Sequence, residues 1–216
     1  MPNETHCLQR IRSLLHEEGF EDIDTFKEAA ERYLALLKKW NTHAGLVAPG
    51  DIPKLWERHV ADSVSLAAYV DREADHETVW VDIGSGGGFP AIPVKLLTPG
   101  TPLVLVERSQ RKAGFLRKVL GALDLGDTDI VQGRYPEGMD LEGAGIVTAR
   151  AVEQPQKVFR TILRQLPPRA VYLCQFSWGS QAKELGFHVE PIQDAWSREG
   201  LRRGALYRIT AAERPD

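Results

Sequence analysis

The chain has 216 residues, 43% apolar and 26% charged, and its 27 Lys and Arg against 30 Asp and Glu give a formal charge of -3. That composition excludes a disordered chain and the bulk cationic character of a histone-like or ribosomal protein, while the length allows one or two domains with a full hydrophobic core. Two cysteines, Cys7 and Cys174, are too few and too scattered for a disulfide framework, which points to a reducing compartment.

The opening MPNETHCLQRIRSLLHEEGF is broken by charge every few residues and lacks the apolar centre of a signal peptide. No later run reaches the length needed to cross a bilayer, so a soluble cytoplasmic protein without membrane contact is expected. Residues 26–40 set Phe26, Ala30, Tyr33, Leu34, Leu37 and Trp40 on one face, with Thr25 and Glu28 spaced as a capping box. After Asp51 and Pro53 a second helical stripe runs through Leu55, Trp56, His59, Val60 and Val64. NTHAGLVAPGD reads as the loop between these helices, and DREADHET as a polar connection after them. Residues 1–75 are therefore expected to form a helical extension, and 76–216 a second unit.

From residue 79 short β-branched runs alternate with helical patterns: VWVDI, LVLVE, DIVQ, GIVTA, AVYLC, FHVEPI and ALYRIT. Helices are expected near 91–97, 111–123, 155–166 and 180–185, with Pro167 and Pro168 ending the third. This alternation predicts an α/β fold with a mostly parallel sheet covered on both faces, whose ligands bind at the carboxyl ends of the strands. The last two strands lack a clear helix between them and read as an antiparallel, hairpin-like edge.

The first strand runs into Gly84, Gly86, Gly87 and Gly88, where glycines let the backbone turn tightly and approach a ligand. A dinucleotide fingerprint beginning at Gly84 would need glycine or alanine at 89, where this chain has Phe89 followed by Pro90, so a nicotinamide enzyme is disfavoured. Asp82, two residues before the first glycine, suits a cationic ligand group better than a pyrophosphate. The second strand ends at Glu107, 23 residues after Gly84, where a carboxylate could accept both hydroxyls of a ribose. The third leads to Gly133, Arg134 and Tyr135, a place for an adenine, and the fourth ends at Arg150. All four ends are expected to open on one crevice. Arg58 and Asp62 have the spacing of a helical ion pair, and His59 falls on the apolar stripe.

In order along the chain stand KWN (39–41), ERHVADS (57–63), DIGSGGGFPAIPV (82–94), the RK and FLRKV elements (111–119), QGR (132–134) and TARAV (148–152). Together they resemble the RsmG (GidB) family of bacterial small-subunit (16S) ribosomal RNA guanine-N7 methyltransferases, strongly over residues 30–155. The resemblance implies a Rossmann-like, seven-stranded methyltransferase fold and S-adenosyl-L-methionine as cofactor. It implies cofactor contacts at Gly84, Phe89, Tyr135, Pro136 and Arg150, joined on the physical argument by Asp82, Gly86 and Glu107. It places Arg58, His59 and Asp62 at the frame of the target pocket, with Arg150. No catalytic acid or base is expected, because guanine N7 has an in-plane lone pair and loses no proton before attacking.

The implied partner is small-subunit ribosomal RNA or the subunit itself, with the protein acting as a monomer. Arg108, Arg111, Lys112, Arg117 and Lys118, five cations in twelve residues, and Arg198, Arg202 and Arg203 near the end are the expected phosphate contacts. Where the family usually carries alanine or valine and then glutamate after the Gly-Arg turn, this chain has Tyr135 and Pro136, so a carboxylate beside the adenine is expected to be missing. Ala44, Gly45 and Leu46 replace an Asn-Leu-Thr, and Cys174 with Gln175 replaces a Lys-Gly. These departures keep a second reading open: a non-catalytic RNA-binding or ribosome-assembly factor on a methyltransferase fold. A methyltransferase for small molecules or protein is a third.

Overall fold

The computed structural model describes residues 2–75, 78–175 and 177–212. Two long helices open the chain, α1 (Pro2–Glu17) and α2 (Ile23–Ala44). The capping box expected at Thr25 and Glu28 is not the start of α2. Asp22 is the cap, its side chain accepting from the Thr25 amide, so that α2 begins one turn earlier. At the other end Gly45 takes the left-handed conformation (φ 58°) that ends helices, and Asn41 lies inside the helix rather than in the expected loop.

The second stripe is helical but is not one α-helix. It comprises a 3₁₀ segment (Pro49–Lys54), a π turn (Trp56–Val60), α3 (Ala61–Val64) and α4 (Ala67–Glu73). Pro49 and Pro53 have no N–H to give to an α ladder. The hydroxyls of Ser63 and Ser65 bond back to the carbonyls of His59 and Asp62 at 2.6 and 2.7 Å, a contact that loosens the ladder locally.

The alternation then unfolds as expected: β1 (Val79–Ile83), α5 (Ala91–Leu97), β2 (Leu103–Glu107), α6 (Gln110–Leu123), β3 (Thr128–Gln132), β4 (Ala144–Ala149), α7 (Pro155–Gln165), β5 (Val171–Cys174), α8 (Gly179–Glu184), β6 (Phe187–Ile192), α9 (Ala195–Arg198) and β7 (Leu206–Ala211). The seven strands form one sheet in the order β3-β2-β1-β4-β5-β7-β6. β1 to β5 pair in parallel, while β7 runs antiparallel between β5 and β6. The last two strands do form the antiparallel edge, with the one-turn helix α9 and a loop as their link.

Side chains alternate across the sheet. Trp80, Leu103, Leu105, Ile146 and Leu173 face a core shared with the N-terminal helices and with α5 and α6. Ile83, Val106, Val147, Ala149 and Tyr172 face a second core under α7 and α8. The N-terminal helices are thus one wall of the main core: Tyr33 of α2 is wholly buried and donates to the Gly87 carbonyl at 2.5 Å, fixing the loop after β1 from above.

β1 lies between β2 and β4, whose helical connections go to opposite faces. The crevice that opens beyond the carboxyl ends at this reversal is where α/β sheets bind ligands.

Candidate active site

A cavity of about 560 Å³ occupies that crevice. Its floor is Ile83, Gly84 and Gly86 after β1, with Val106 and Glu107 at the end of β2. Gly84 (φ 74°) and Gly86 (φ 56°) hold a conformation that side chains disfavour, and a Cβ on Gly84 would lie 2.6 Å from Val152 Cγ1. The close packing of this turn against Val152 therefore requires glycine at 84.

Glu107 is buried and its carboxylate braces the floor: one oxygen accepts from the Gly86 amide at 2.8 Å, the other from the Ser109 amide at 2.7 Å. It pairs with neither Arg108 nor Arg111. A carboxylate has about four lone-pair positions, so two remain for a ligand's hydroxyl groups. Arg108 instead reaches Glu153 across the cavity mouth.

Tyr135 and Pro136 form the wall after β3, where the Tyr135 hydroxyl donates to Gln165 of α7 at 2.6 Å. The next residue, Glu137, also lines the cavity, with its side chain largely exposed.

On the opposite wall a chain of polar contacts joins the helical segment to the end of β4. Arg150 bonds Asp62 at 2.8 Å and meets His59 Nδ1 at 3.1 Å. His59 Nε2 meets Asp51 at 3.0 Å, and Asp51 also takes Arg58 at 2.5 Å. The spacing-based pairing of Arg58 with Asp62 is thus corrected: Arg58 turns back to Asp51, and Asp62 takes Arg150. A guanidinium can only donate, so Nδ1 of His59 must accept and the ring proton sits on Nε2, donated to Asp51. Burial, then the Arg150 charge, hold the His59 pKa below its ordinary 6.5, which keeps the ring neutral at pH 7. The ring stacks on Phe89 with centroids 4.9 Å apart. Both its nitrogens are engaged, so it is no free base.

Asp82 does not line the cavity. It is fully buried on the α2 side of the sheet, with Oδ1 accepting from Thr148 Oγ1 at 2.6 Å, while the same hydroxyl accepts from Trp80 Nε1 at 2.9 Å. Burial pushes its pKa up to about 6, against the opposing Thr148 hydrogen bond, and Oδ2 has no hydrogen-bond partner among the described residues. Asp82 lies behind the glycine turn rather than at the wall.

Of the expected phosphate contacts, Arg108, Arg111 and Lys112 stand at the cavity wall. Arg117 and Lys118 are exposed but outside it, and Arg117 donates to Gln132 at 3.2 Å. Arg198 and Arg203 are also absent from the wall, and Arg203 offers its backbone N–H to Asp62 at 2.6 Å. Arg202 cannot meet RNA: it is 4% exposed and locked by Asp194 at 2.5 Å and the Ile192 carbonyl at 2.9 Å.

Sequence reasoning missed Lys157 and Val152 at the wall, and it missed Asn41. The Asn41 side chain accepts from the amides of Leu46 and Val47 at 2.8 and 2.9 Å, shaping the loop that covers the glycine turn. The KWN motif marks Asn41 in the sequence, but nothing local shows so specific a clamp. Among the described residues no cluster of His, Cys, Asp and Glu could hold a metal ion, and no helix is long and apolar enough to cross a membrane.

Residues 26–177 match the family described as GidB, rRNA small subunit methyltransferase G. The chain belongs to this family. Curated relatives named ribosomal RNA small subunit methyltransferase G include that of Frankia alni, 38% identical over 171 residues, which cover 77% of this chain and 61% of the relative. That of Paracoccus denitrificans is 32% identical over 169 residues, 78% of this chain and 83% of the relative. The matched stretch spans less than two thirds of the Frankia alni protein and of the Erythrobacter litoralis one, 61% and 64%. Among solved structures, MtNAS in complex with S-adenosylmethionine has a TM-score of 0.58 at 13% identity, covering 88% of this chain and 77% of that one. An RNA methyltransferase from Salinibacter ruber with bound S-adenosyl-L-homocysteine has a TM-score of 0.51 at 22% identity, covering 73% and 93%. Both are likenesses of fold. GidB membership and the strand order agree on a methyltransferase-type sheet with N-terminal helices.

Proposed function

We propose that this GidB chain is an S-adenosylmethionine-dependent methyltransferase that methylates N7 of a guanosine in bacterial small-subunit (16S) ribosomal RNA. The observation that carries the reading is the crevice itself, which gathers the glycine turn, the Glu107 carboxylate and the His59–Arg150 wall at the reversal point of the sheet. Relatives bearing the methyltransferase G name support the substrate.

The residues fit the cofactor. The glycine turn admits close backbone approach, Glu107 keeps acceptor capacity for ribose hydroxyls, and the buried Asp82 carboxyl stands behind the turn, on the side of a site for a cation. Tyr135 and Pro136 offer a flat wall for the adenine. When bound, the cofactor supplies a methyl group already activated by its sulfonium.

The chain's own work is positioning. Guanine N7 needs no proton removed, and the wall facing it offers none of the groups a base would need: His59 is neutral with both nitrogens occupied, and Arg150 is held by Asp62. Alignment of reacting atoms can supply about 7 to 11 kcal/mol of a barrier, so such a site needs order more than acid–base chemistry. N7 is hidden in the deep groove of an RNA helix, so the target guanosine lies in a loop or is displaced.

The helical extension (1–75) and the sheet domain (76–216) act as one body, and the protein acts as a monomer in the cytoplasm. Only Val131 and Leu185 are large exposed apolar side chains among the described residues, too little for an obligate interface.

The test is transfer of radiolabelled methyl from S-adenosylmethionine to small ribosomal subunits lacking the modification, with protein-free RNA in parallel, followed by nucleoside analysis. Labelled 7-methylguanosine is expected. Cofactor binding without product on either substrate overturns the RNA reading in favour of another acceptor. RNA binding with neither product nor cofactor binding supports the assembly-factor reading instead.

A further inference from the structure

The solvent-facing side of α7 starts at the wall of the site described above and extends beyond it. Phe159, Ile162 and Leu163 bury one side of this helix in the second core. At 100° per residue, Lys157, Arg160 and Arg164 fall within about 60° of one another on the solvent side, and all three are exposed. The helix contains no Asp or Glu, so eleven residues carry three positive charges in a chain whose formal charge is -3. None of the three forms an ion pair among the described residues. The acid just before the helix, Glu153, is taken by Arg108 and does not neutralise them.

The stripe is continuous with the cavity. Lys157 and Thr161 line it, whereas Arg160 and Arg164 carry the same charge away from its mouth, and Lys157 to Arg164 spans about 10 Å of helix axis. An unpaired stripe of one sign leading out of a ligand cavity matches a polyanion whose one unit enters that cavity.

We infer that the outer face of α7 is the track for the RNA backbone flanking the target guanosine, with Lys157, Arg160 and Arg164 as its phosphate contacts. The inference rests on the reading of the crevice as an RNA methyltransferase site. It moves part of the expected interface from the far end of α6, where Arg117 and Lys118 stand away from the cavity, to α7. Phosphate contacts position the strand and carry no sequence information, so they act on affinity and on salt dependence.

The experiment measures binding of protein-free small-subunit ribosomal RNA across a salt series, with methyl transfer and cofactor affinity measured on the same preparations. The variants are Arg160→Gln with Arg164→Gln, and Arg117→Gln with Lys118→Gln. Each phosphate contact on a single strand contributes about 0.7 to the slope of log K against log salt, so the α7 pair is expected to flatten that slope by about 1.4. Its cofactor affinity should equal that of the wild type, since neither side chain reaches the cavity. The α6 pair should keep the wild-type slope. A wild-type slope for the α7 pair, in a protein whose wild type methylates RNA, overturns this inference alone. A wild type that neither binds nor methylates RNA overturns the functional reading and the α7 track with it.

Discussion

Arg150 shows how one side chain can hold two parts of the chain in register. Its guanidinium joins Asp62 and His59 of the helical segment to the end of β4, and Asp62 is only 4% exposed. Removing one member of a buried ion pair strands the other, at a cost of about 3 to 5 kcal/mol. Arg150→Met should therefore lower the unfolding free energy in urea by that amount, and adding Asp62→Asn should restore part of it, because the two share one interaction. Purely additive losses would show that the pair is not coupled. His59 gives a second test. Its pKa is lower folded than unfolded, so the native state binds fewer protons below pH 6.5 and stability falls as pH drops from 6.5 through the folded value. The wild type should lose more melting temperature between pH 7.5 and 5 than His59→Asn does. Equal losses would mean that His59 is not held neutral by its neighbours.

The turn between β1 and α5 was legible because its chemistry is local. Glycines after a β-branched run announce a close backbone turn wherever they occur, and Gly84 indeed leaves no room for a Cβ beside Val152. Gly84→Ala is expected to cost about 1 kcal/mol or more from its positive φ and to weaken cofactor binding measured by calorimetry. Val152→Ala in the same chain should recover part of the loss, since it removes the 2.6 Å contact but leaves the backbone strain. No recovery would assign the whole effect to the backbone. The strands were equally legible, each a short β-branched run within a residue or two of its observed ends. What escaped depends on contacts between distant residues. The pairing of Asp62 with Arg150 spans 88 positions, while the α-helical spacing of Arg58 and Asp62 suggested a nearer partner that the π turn Trp56–Val60 does not deliver. Arg202 looked like a surface cation because nothing local shows that Asp194 folds over it. The cationic face of α7 is legible in its period, three cations at steps of three and four, although it is sparser than the basic run at 108–118.

Across the whole molecule α1 and α4 are tied to residues 194–208. Arg10 of α1 bonds Glu199, Arg208 of β7 bonds Glu73 of α4 at 2.7 Å, and between them lies a cluster of the half-buried Glu18, Tyr69 and Asp194 with the buried Trp196 and Arg202. Trp196 is wholly buried and donates through Nε1 to Glu18 Oε1 at 2.8 Å, whereas Glu18 Oε2 has no hydrogen-bond partner among the described residues. Burial, against the opposing Trp196 hydrogen bond and with the nearby Asp194 charge adding to it, raises the Glu18 pKa from 4.5 to about 7. Between those values the native state binds more protons than the unfolded chain, so this group's contribution to stability falls as pH rises from 4.5 to 7 and stays low above. Glu18→Gln keeps an acceptor for Trp196 and removes the charge. Discounted for partial exposure, the variant should be more stable than the wild type by about 1 kcal/mol at pH 8 and nearly equal to it at pH 5, in urea titrations at both. Stability curves that stay parallel across that range would show that Glu18 ionises in the folded protein as freely as in the unfolded chain, and that the junction of α1 and α4 with residues 194–208 is held without it.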